Sequence, residues 1–173
     1  MKHEKNIADK LKLLRKENKN GPLLVYAEGS GVGILEKDGC YFKDLSKDGR
    51  LDIYEDWRQS PGARAKDLAK RLCVEQLAGL MIFSDFNVLP AALAPVSKDT
   101  YFAERYDKEK VKPWEISDMQ YDFMTKNHGR HILVAQIQDG ETIAKWNNSV
   151  QFMAESMAFG ITVNNATDPR HTK

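Results

Sequence analysis

The chain has 173 residues, of which 42% are hydrophobic and 29% charged, a composition typical of a folded protein. Its 26 basic and 25 acidic residues give a net charge of +1, which argues against nucleic acid and anionic membranes as partners. Its apolar runs are far shorter than the ~20 residues of a membrane-spanning helix, so no membrane span is predicted.

The first third of the chain is predicted to contain a helix and a small β element. Apolar residues recur at helical spacing over residues 5–18, and Asn20-Gly21 would end the helix. Three short β-prone runs follow, separated by a glycine-rich turn and by Asp38-Gly39, at residues 23–26, 32–35 and 40–42.

The rest of the sequence alternates between helices and strands. Ser60-Pro61 predicts the start of a helix that continues to Arg71, and the apolar run Leu77–Phe83 predicts a buried strand at its end. About thirty residues that follow are long for a connection and favour a functional or inserted loop. The remaining predictions are helices over 116–126 and 139–159 and strands over 131–135 and 161–166. This order is typical of parallel α/β folds, in which ligand groups collect where strands end.

The most specific local motif is the twelve-residue segment from Asp44 to Glu55, here called the acidic loop. It has the EF-hand form, with oxygen-bearing side chains at positions 1, 3, 5, 9 and 12 and glycine at position 6. Calcium takes about six to eight oxygen ligands, and a tight turn can present alternate residues inward. The predicted ligands are the side chains of Asp44, Ser46, Asp48, Asp52 and Glu55 and the backbone carbonyl of Arg50.

The surroundings of the acidic loop favour a structural calcium ion over a calcium switch. An EF-hand sensor has a helix on each side of the loop and usually a second loop, whereas the segment before Asp44 is β-prone and no second such loop occurs. A solvated Asp/Lys turn is the alternative interpretation.

The histidines and tryptophans give weaker signals. His3, His128 and His131 have no metal-ligand neighbours in the sequence and are predicted to be solvated or packed. Trp57 and Trp146 are predicted to lie in the core, whereas Trp114, in the long connection, is the better candidate for a surface contact.

Four segments, taken in order, resemble a bacterial branch of glycoside hydrolase family 3, whose members include β-glucosidases. The resemblance runs over residues 34–171, and its segments are Tyr41–Arg58, Leu72–Met81, Glu141–Asn148 and Gly160–His171. It implies an N-terminal (β/α)8 barrel that hydrolyses β-linked glycosides with retention, through a carboxylate nucleophile and a carboxylic acid/base about 5 to 5.5 Å apart.

The resemblance also implies that catalysis needs more than this chain. Both catalytic carboxyl groups of the family come later than residue 173, so no catalytic residue is assigned here and the chain is expected to be inactive alone. Residues 1–60 would hold the helix, β element and acidic loop, and residues 61–173 about three of the eight strand-helix units of the barrel. Either the chain is truncated or a second polypeptide, the missing C-terminal part, completes it.

Two residues are assigned to substrate by the resemblance. In the family, an Asp in an Asp-x-x-His motif after the third strand accepts hydrogen bonds from hydroxyls of the innermost sugar, and Asp168 occupies that place, with His171 beside it. The expected partner is a β-linked oligosaccharide or glycoside, with a β-glucoside as the default. A turn residue is the alternative for Asp168, and a calcium-stabilised, non-catalytic binding or scaffold module is the alternative for the chain.

Overall fold

A computed structural model describes residues 4–86, 99–134 and 139–166. They form two compact units. The loop unit comprises Leu11–Cys73 and Phe152–Thr162, and the sheet unit comprises the described residues within Met1–Lys10, Val74–Gln151 and Val163–Lys173. The predicted division at residue 60 stays a prediction.

The loop unit contains two antiparallel two-stranded sheets and one helix. Strand β1 (Leu13–Lys16) pairs with β2 (Leu24–Ala27), and β3 (Gly33–Lys37) pairs with β4 (Cys40–Asp44). Asp38 and Gly39 connect β3 to β4 with φ values of 54° and 70°, as a tight hairpin turn requires. The predicted β element is therefore confirmed.

The helix predicted over residues 5–18 is wrong for most of its length. Helix α1 covers only Ile7–Lys10, and Leu13–Lys16 form strand β1 instead. The reason is tertiary: the backbone of β1 pairs with β2 from Leu13 opposite Ala27 to Lys16 opposite Leu24, and this ladder outweighs the helical spacing of the apolar residues.

Helix α2 (Pro61–Arg71) begins where the sequence predicts. The Ser60 hydroxyl accepts a hydrogen bond from the Ala63 N–H at 3.2 Å, and Pro61 occupies the first turn, where its missing N–H has no cost. Although α2 has an apolar stripe, none of its residues is buried within the part of the chain that the structure describes.

The sheet unit is built on three parallel strands. Strand β6 (His131–Val134) lies between β5 (Phe83–Phe86) and β7 (Asn164–Ala166) and is parallel to both. The connections include α4 (Asp118–Thr125) and α5 (Gly140–Ser156), which runs on into the loop unit; a short helix, α3 (Val74–Gly79), precedes β5. The alternation of helices and parallel strands, and thus a mixed α/β fold, is confirmed.

The two faces of this sheet differ in burial. Ile132 and Val134 of β6 are fully buried, whereas Phe83, paired with His131 on the opposite face, is 57% exposed. Met81, just before β5, is 87% exposed. The prediction of a buried strand at the end of Leu77–Phe83 is thus wrong for Phe83. The reason is that α3 takes the start of this apolar run and the strand begins only at its last residue.

The connection before α4 is irregular over its described part, residues 99–117. Phe102 and Ala103 both have left-handed φ values, and the Asp118 carboxylate accepts hydrogen bonds from their N–H groups at 3.0 and 2.8 Å. Helix α4 then starts with a capping box formed by Ser117 and Gln120. In the described part of the chain, no helix is both long and apolar enough to cross a membrane.

Candidate functional site

The first half of the acidic loop is closed around Asp44, the last residue of β4. Its carboxylate accepts hydrogen bonds from the N–H groups of Asp48 at 3.2 Å and Gly49 at 2.9 Å, and from the Ser46 hydroxyl at 3.3 Å. Gly49 has a φ of 76°, which a residue with a Cβ adopts only with strain. The glycine at position 6 therefore serves the turn for which it was predicted.

Glu55 closes the second half of the loop. Its two carboxylate oxygens accept hydrogen bonds from the N–H of Ser46 at 2.7 Å and from the N–H of Asp52 at 2.9 Å. Because Glu55 is buried and joins positions 3, 9 and 12, it fixes the two ends of the loop against each other.

Asp52 is held by a cation from outside the loop. The Arg71 guanidinium, in the last turn of α2, contacts both Asp52 oxygens, with Nη1–Oδ2 and Nη2–Oδ1 distances of 2.7 Å. Arg71 also donates from Nε to Asp67 at 3.1 Å. Sequence reasoning missed Arg71, since only its i,i+4 spacing from Asp67 is visible in the sequence.

Tyr54 lies between these groups and is 5% exposed. Its hydroxyl is buried and interacts with the neighbouring Glu55 carboxylate. Burial and the charge of the neighbouring Glu55 carboxylate raise the pKa of Tyr54 well above its usual range, so the hydroxyl is neutral at all physiological pH values.

The oxygen donors of the acidic loop are of the type that binds a hard cation, but they do not surround a common point. Carboxylates, a hydroxyl and a carbonyl are the ligands that calcium prefers. Among the residues that the structure describes, no three or more His, Cys, Asp or Glu side chains converge on a common point. The carboxylates of Asp44, Glu55 and Asp52 are instead engaged with backbone N–H groups and Arg71.

The other side of the acidic loop and β4 hold the end of α5. Lys47 donates to the backbone carbonyls of Ser156 at 2.8 Å and Met157 at 2.9 Å, at the C-terminal end of α5, where a positive charge is favourable. The Glu155 carboxylate accepts from the Lys43 ammonium at 2.6 Å and from the Ala27 N–H at 2.9 Å. These contacts join β2, β4 and the loop to the last turn of α5.

The turn after α5 is also packed on the acidic loop. Phe159 has a left-handed φ of 64°, and its ring meets that of Tyr54 edge-on at 6.4 Å. Gly160 lies so close to Leu45 that an added Cβ would stand 2.8 Å from its Cδ2. A cavity of about 320 Å³ opens between this turn and α2, and no Asp or Glu lines it, so it lacks the carboxylates of glycoside hydrolysis.

The residues predicted to bind sugar, Asp168 and His171, lie outside the described residues, as does His3. The described chain ends at Ala166, the last residue of β7, two residues before Asp168. The structure therefore leaves the predicted sugar contacts as predictions.

Burial confirms the core prediction for Trp146, while Trp57 is half-buried. Trp146 is fully buried and donates to Gln120 Oε1 at 3.1 Å, and Trp57 donates to the Tyr41 carbonyl at 2.9 Å. His131 Nδ1 lies 3.1 Å from Asn164 Nδ2, a contact between β6 and β7. The face of Trp114 is covered by the Lys145 ammonium, 3.8 Å from the ring centroid, and its surface contact stays a prediction.

Comparison with known proteins tests the predicted family resemblance. No family model matches the chain. A protein of Dickeya chrysanthemi described as a periplasmic beta-glucosidase/beta-xylosidase is 31% identical to it over 140 residues, or 81% of this chain. The chain is a homologue of a β-glucosidase/β-xylosidase. The predicted resemblance to β-glucosidase-like hydrolases is thus confirmed, and a glycosidase relationship is established in general terms.

The shared region is a small part of the relative. It spans 19% of the length of that protein, so this chain corresponds to about a fifth of it. The relationship is consistent with the N-terminal portion of a glycoside hydrolase family 3 enzyme.

Proposed function

We propose that this chain forms the N-terminal part of the catalytic (β/α)8 barrel of a retaining β-glycosidase of glycoside hydrolase family 3. The observation that carries the proposal is the similarity to the β-glucosidase/β-xylosidase over 81% of the chain. The parallel strands β5, β6 and β7 support it, because parallel pairs with helical connections are the repeating unit of such barrels.

The proposed role of this part of the barrel is to bind substrate. Retention needs a nucleophilic carboxylate and an acid/base carboxyl group on opposite sides of the glycosidic bond. We assign neither to this chain, so it hydrolyses nothing alone and needs the C-terminal part of the enzyme as a partner. Asp168 accepts hydrogen bonds from hydroxyls of the innermost sugar, and His171 orients the loop that carries it. The proposed substrates are β-linked glucosides or xylosides.

The test is complementation. This chain is co-expressed with the part of the Dickeya relative that follows the shared region, and hydrolysis of aryl β-glucosides and β-xylosides is measured. We expect activity from the pair, none from either polypeptide alone, and a loss of at least a hundredfold in the pair carrying Asp168→Ala. Asp122→Asn, a change at an exposed carboxylate paired with Lys126, is the control and retains activity.

Two results would contradict the proposal. Hydrolysis by the purified chain alone would refute its dependence on a partner. A soluble complex without activity on any β-glycoside would favour the non-catalytic scaffold module instead.

We further propose that the acidic loop binds one structural calcium ion through Asp44, Ser46, Asp48, Arg50, Asp52 and Glu55. The spacing of oxygen donors and the left-handed glycine at position 6 support this site. The loop carboxylates accept hydrogen bonds from the loop's own backbone N–H groups. Calcium binding therefore requires these hydrogen bonds to break so that the carboxylate oxygens can contact the ion.

Calcium titration of the chelated protein tests the site. We expect binding heat and a raised melting temperature, and about tenfold weaker binding in Asp48→Asn, which removes one negative ligand at an exposed position. Glu36→Gln, on the exposed side of β3, removes the same charge outside the loop and is the control. Absence of both heat and thermal stabilisation would exclude the site.

A further inference from the structure

We propose that the cavity beside α2 receives an apolar side chain and a neighbouring carboxylate from the C-terminal part of the enzyme. This inference rests on the proposed function, which requires such a partner polypeptide. It gives that partner a docking site on the loop unit.

One face of α2 forms a wall of this cavity, whose volume is about 320 Å³. The four α2 residues that line it occur at the i, i+3, i+4 and i+7 spacing of a single helical face: Pro61, Arg64, Ala65 and Leu68. All of the cavity lies within the loop unit. Its shape is therefore set by this unit alone.

The described part of the chain does not cover this face of α2. None of the α2 residues is buried, since Leu68 is half-buried and Ala65 is exposed. A helix on a protein surface normally buries its apolar stripe against a neighbouring element. Because the chain corresponds to about a fifth of its β-glucosidase/β-xylosidase relative, the rest of such an enzyme is large enough to supply that neighbour.

Arg64 determines the charge that the partner should carry. It is the single charged residue among the described residues that line the cavity. Its Nε donates to the Tyr54 carbonyl at 2.9 Å, and its two terminal nitrogens have no hydrogen-bond partner in the described part of the chain. A guanidinium pairs best with a carboxylate that two of its N–H groups can reach together. The complementary partner therefore presents Asp or Glu beside its apolar side chain.

Phe159 gives an independent reason to regard the cavity as a binding surface. Its φ of 64° lies in the left-handed region, which bulky residues seldom adopt. In this conformation its ring meets that of Tyr54 edge-on at 6.4 Å, and both residues line the cavity. Backbone strain of this kind occurs preferentially at binding sites. It favours a formed site over an accidental gap between α2 and the turn.

The form of the cavity favours a polypeptide over a membrane surface. A membrane-bound helix buries apolar side chains that protrude into the lipid, whereas a concave site receives side chains from a partner. Interfaces between polypeptides are commonly centred on such pockets, each filled by one anchoring side chain. The uncovered stripe of α2 continues the apolar surface beside the pocket, as in contacts where a helix packs in a groove.

Two substitutions in the cavity test the docking site. This chain is co-expressed with the C-terminal part of the Dickeya relative, the pair is purified through a tag on that part, and its Kd is measured by dilution. Arg64→Glu reverses the charge that meets the carboxylate, and Ala65→Phe fills the cavity with the chain's own side chain. We expect each to raise the Kd about tenfold or more, with complex formation restored at high concentration.

Lys66→Glu and Ala63→Phe are the matched controls, because they make the same changes at α2 residues that do not line the cavity. We expect both to keep the Kd within about twofold of the unchanged pair. Arg64→Glu also removes the hydrogen bond to the Tyr54 carbonyl, so its melting temperature is measured. Ala65→Phe removes no side-chain hydrogen bond and tests the docking site independently if Arg64→Glu does not fold.

The outcomes separate the docking site from the proposed function. Weaker assembly of both cavity variants than of their controls supports the docking site, and a pair that behaves so but hydrolyses no β-glycoside overturns the proposed function alone. An active pair whose Kd ignores both substitutions overturns the docking site alone. Failure of the unchanged chain to assemble overturns both. Binding to phosphatidylserine vesicles that Arg64→Glu abolishes, with assembly unchanged, would assign this face to a membrane and overturn the docking site.

Discussion

Replacing Glu155 with glutamine tests how strongly the end of α5 is held in the loop unit. Glu155 is 8% exposed, and its carboxylate accepts hydrogen bonds from two donors, the Lys43 ammonium at 2.6 Å and the Ala27 N–H at 2.9 Å. The glutamine side chain has the same size but only one oxygen. One of the two donors therefore loses its acceptor, and the ion pair with Lys43 is lost.

The expected loss follows from these two effects. A buried donor without a partner costs about 1–3 kcal/mol, and a partly exposed ion pair contributes up to about 1 kcal/mol. Glu155→Gln should thus lower the free energy of unfolding by about 1–4 kcal/mol. With a urea dependence of about 2 kcal/mol per M, the unfolding midpoint falls by about 0.5–2 M.

Urea unfolding followed by circular dichroism measures this change. Glu28→Gln is the matched control, because Glu28 pairs with Lys12 at 3.1 Å with side-chain exposures of 56% and 66%. We expect it to change the free energy of unfolding by less than about 0.5 kcal/mol. Hydrogen exchange of the Ala27 amide should accelerate only in Glu155→Gln. Equal midpoints for the two variants would refute the role assigned to Glu155.

Two further substitutions are predicted to change stability. Gly160→Ala places a Cβ 2.8 Å from the Leu45 side chain at a φ of 53°, whereas Gly39 also has a left-handed φ but nothing near its Cβ position. Gly160→Ala should therefore lower the melting temperature more than Gly39→Ala. Equal losses in the two variants would contradict the close packing at Gly160. Burial raises the pKa of Glu115 above its ordinary value of about 4.3, so the folded chain binds its proton more tightly than the unfolded chain. This contribution to the free energy of unfolding is present below the ordinary pKa and is lost as pH rises through the raised value. Glu115→Gln should flatten that dependence in urea unfolding at pH 4–7, and an unchanged slope would contradict it.

The sequence predicted correctly those elements whose ends are marked by local capping or turn residues. Ser60-Pro61 fixed the start of α2, and the turn at Asp38-Gly39 fixed the β3–β4 hairpin. The helix predicted over residues 5–18 is wrong because its apolar spacing competes with a strand partner eight to fourteen residues away, from Lys16 opposite Leu24 to Leu13 opposite Ala27, which no local pattern contains.

The residues that close the acidic loop could be named from the sequence, whereas their partners outside the loop could not. The donor positions of the acidic loop follow a fixed spacing, so Asp44 and Glu55 could be named from the sequence. The partners Arg71 and Glu155 are separated from the residues they contact by 19 and 112 positions. Such pairs depend on the tertiary fold, and an isolated Arg or Glu in a helix gives no sign of them.

Because the Met81 side chain is exposed, its oxidation can report whether another polypeptide covers this part of the chain. Dilute peroxide should convert Met81 to the sulfoxide quickly, while the fully buried Met124 and Met153 react slowly and serve as internal references in the same digest. Any polypeptide that covers the start of β5 would slow the first reaction and leave the other two unchanged. Mass spectrometry of oxidised peptides can therefore locate assembly on this strand without a label.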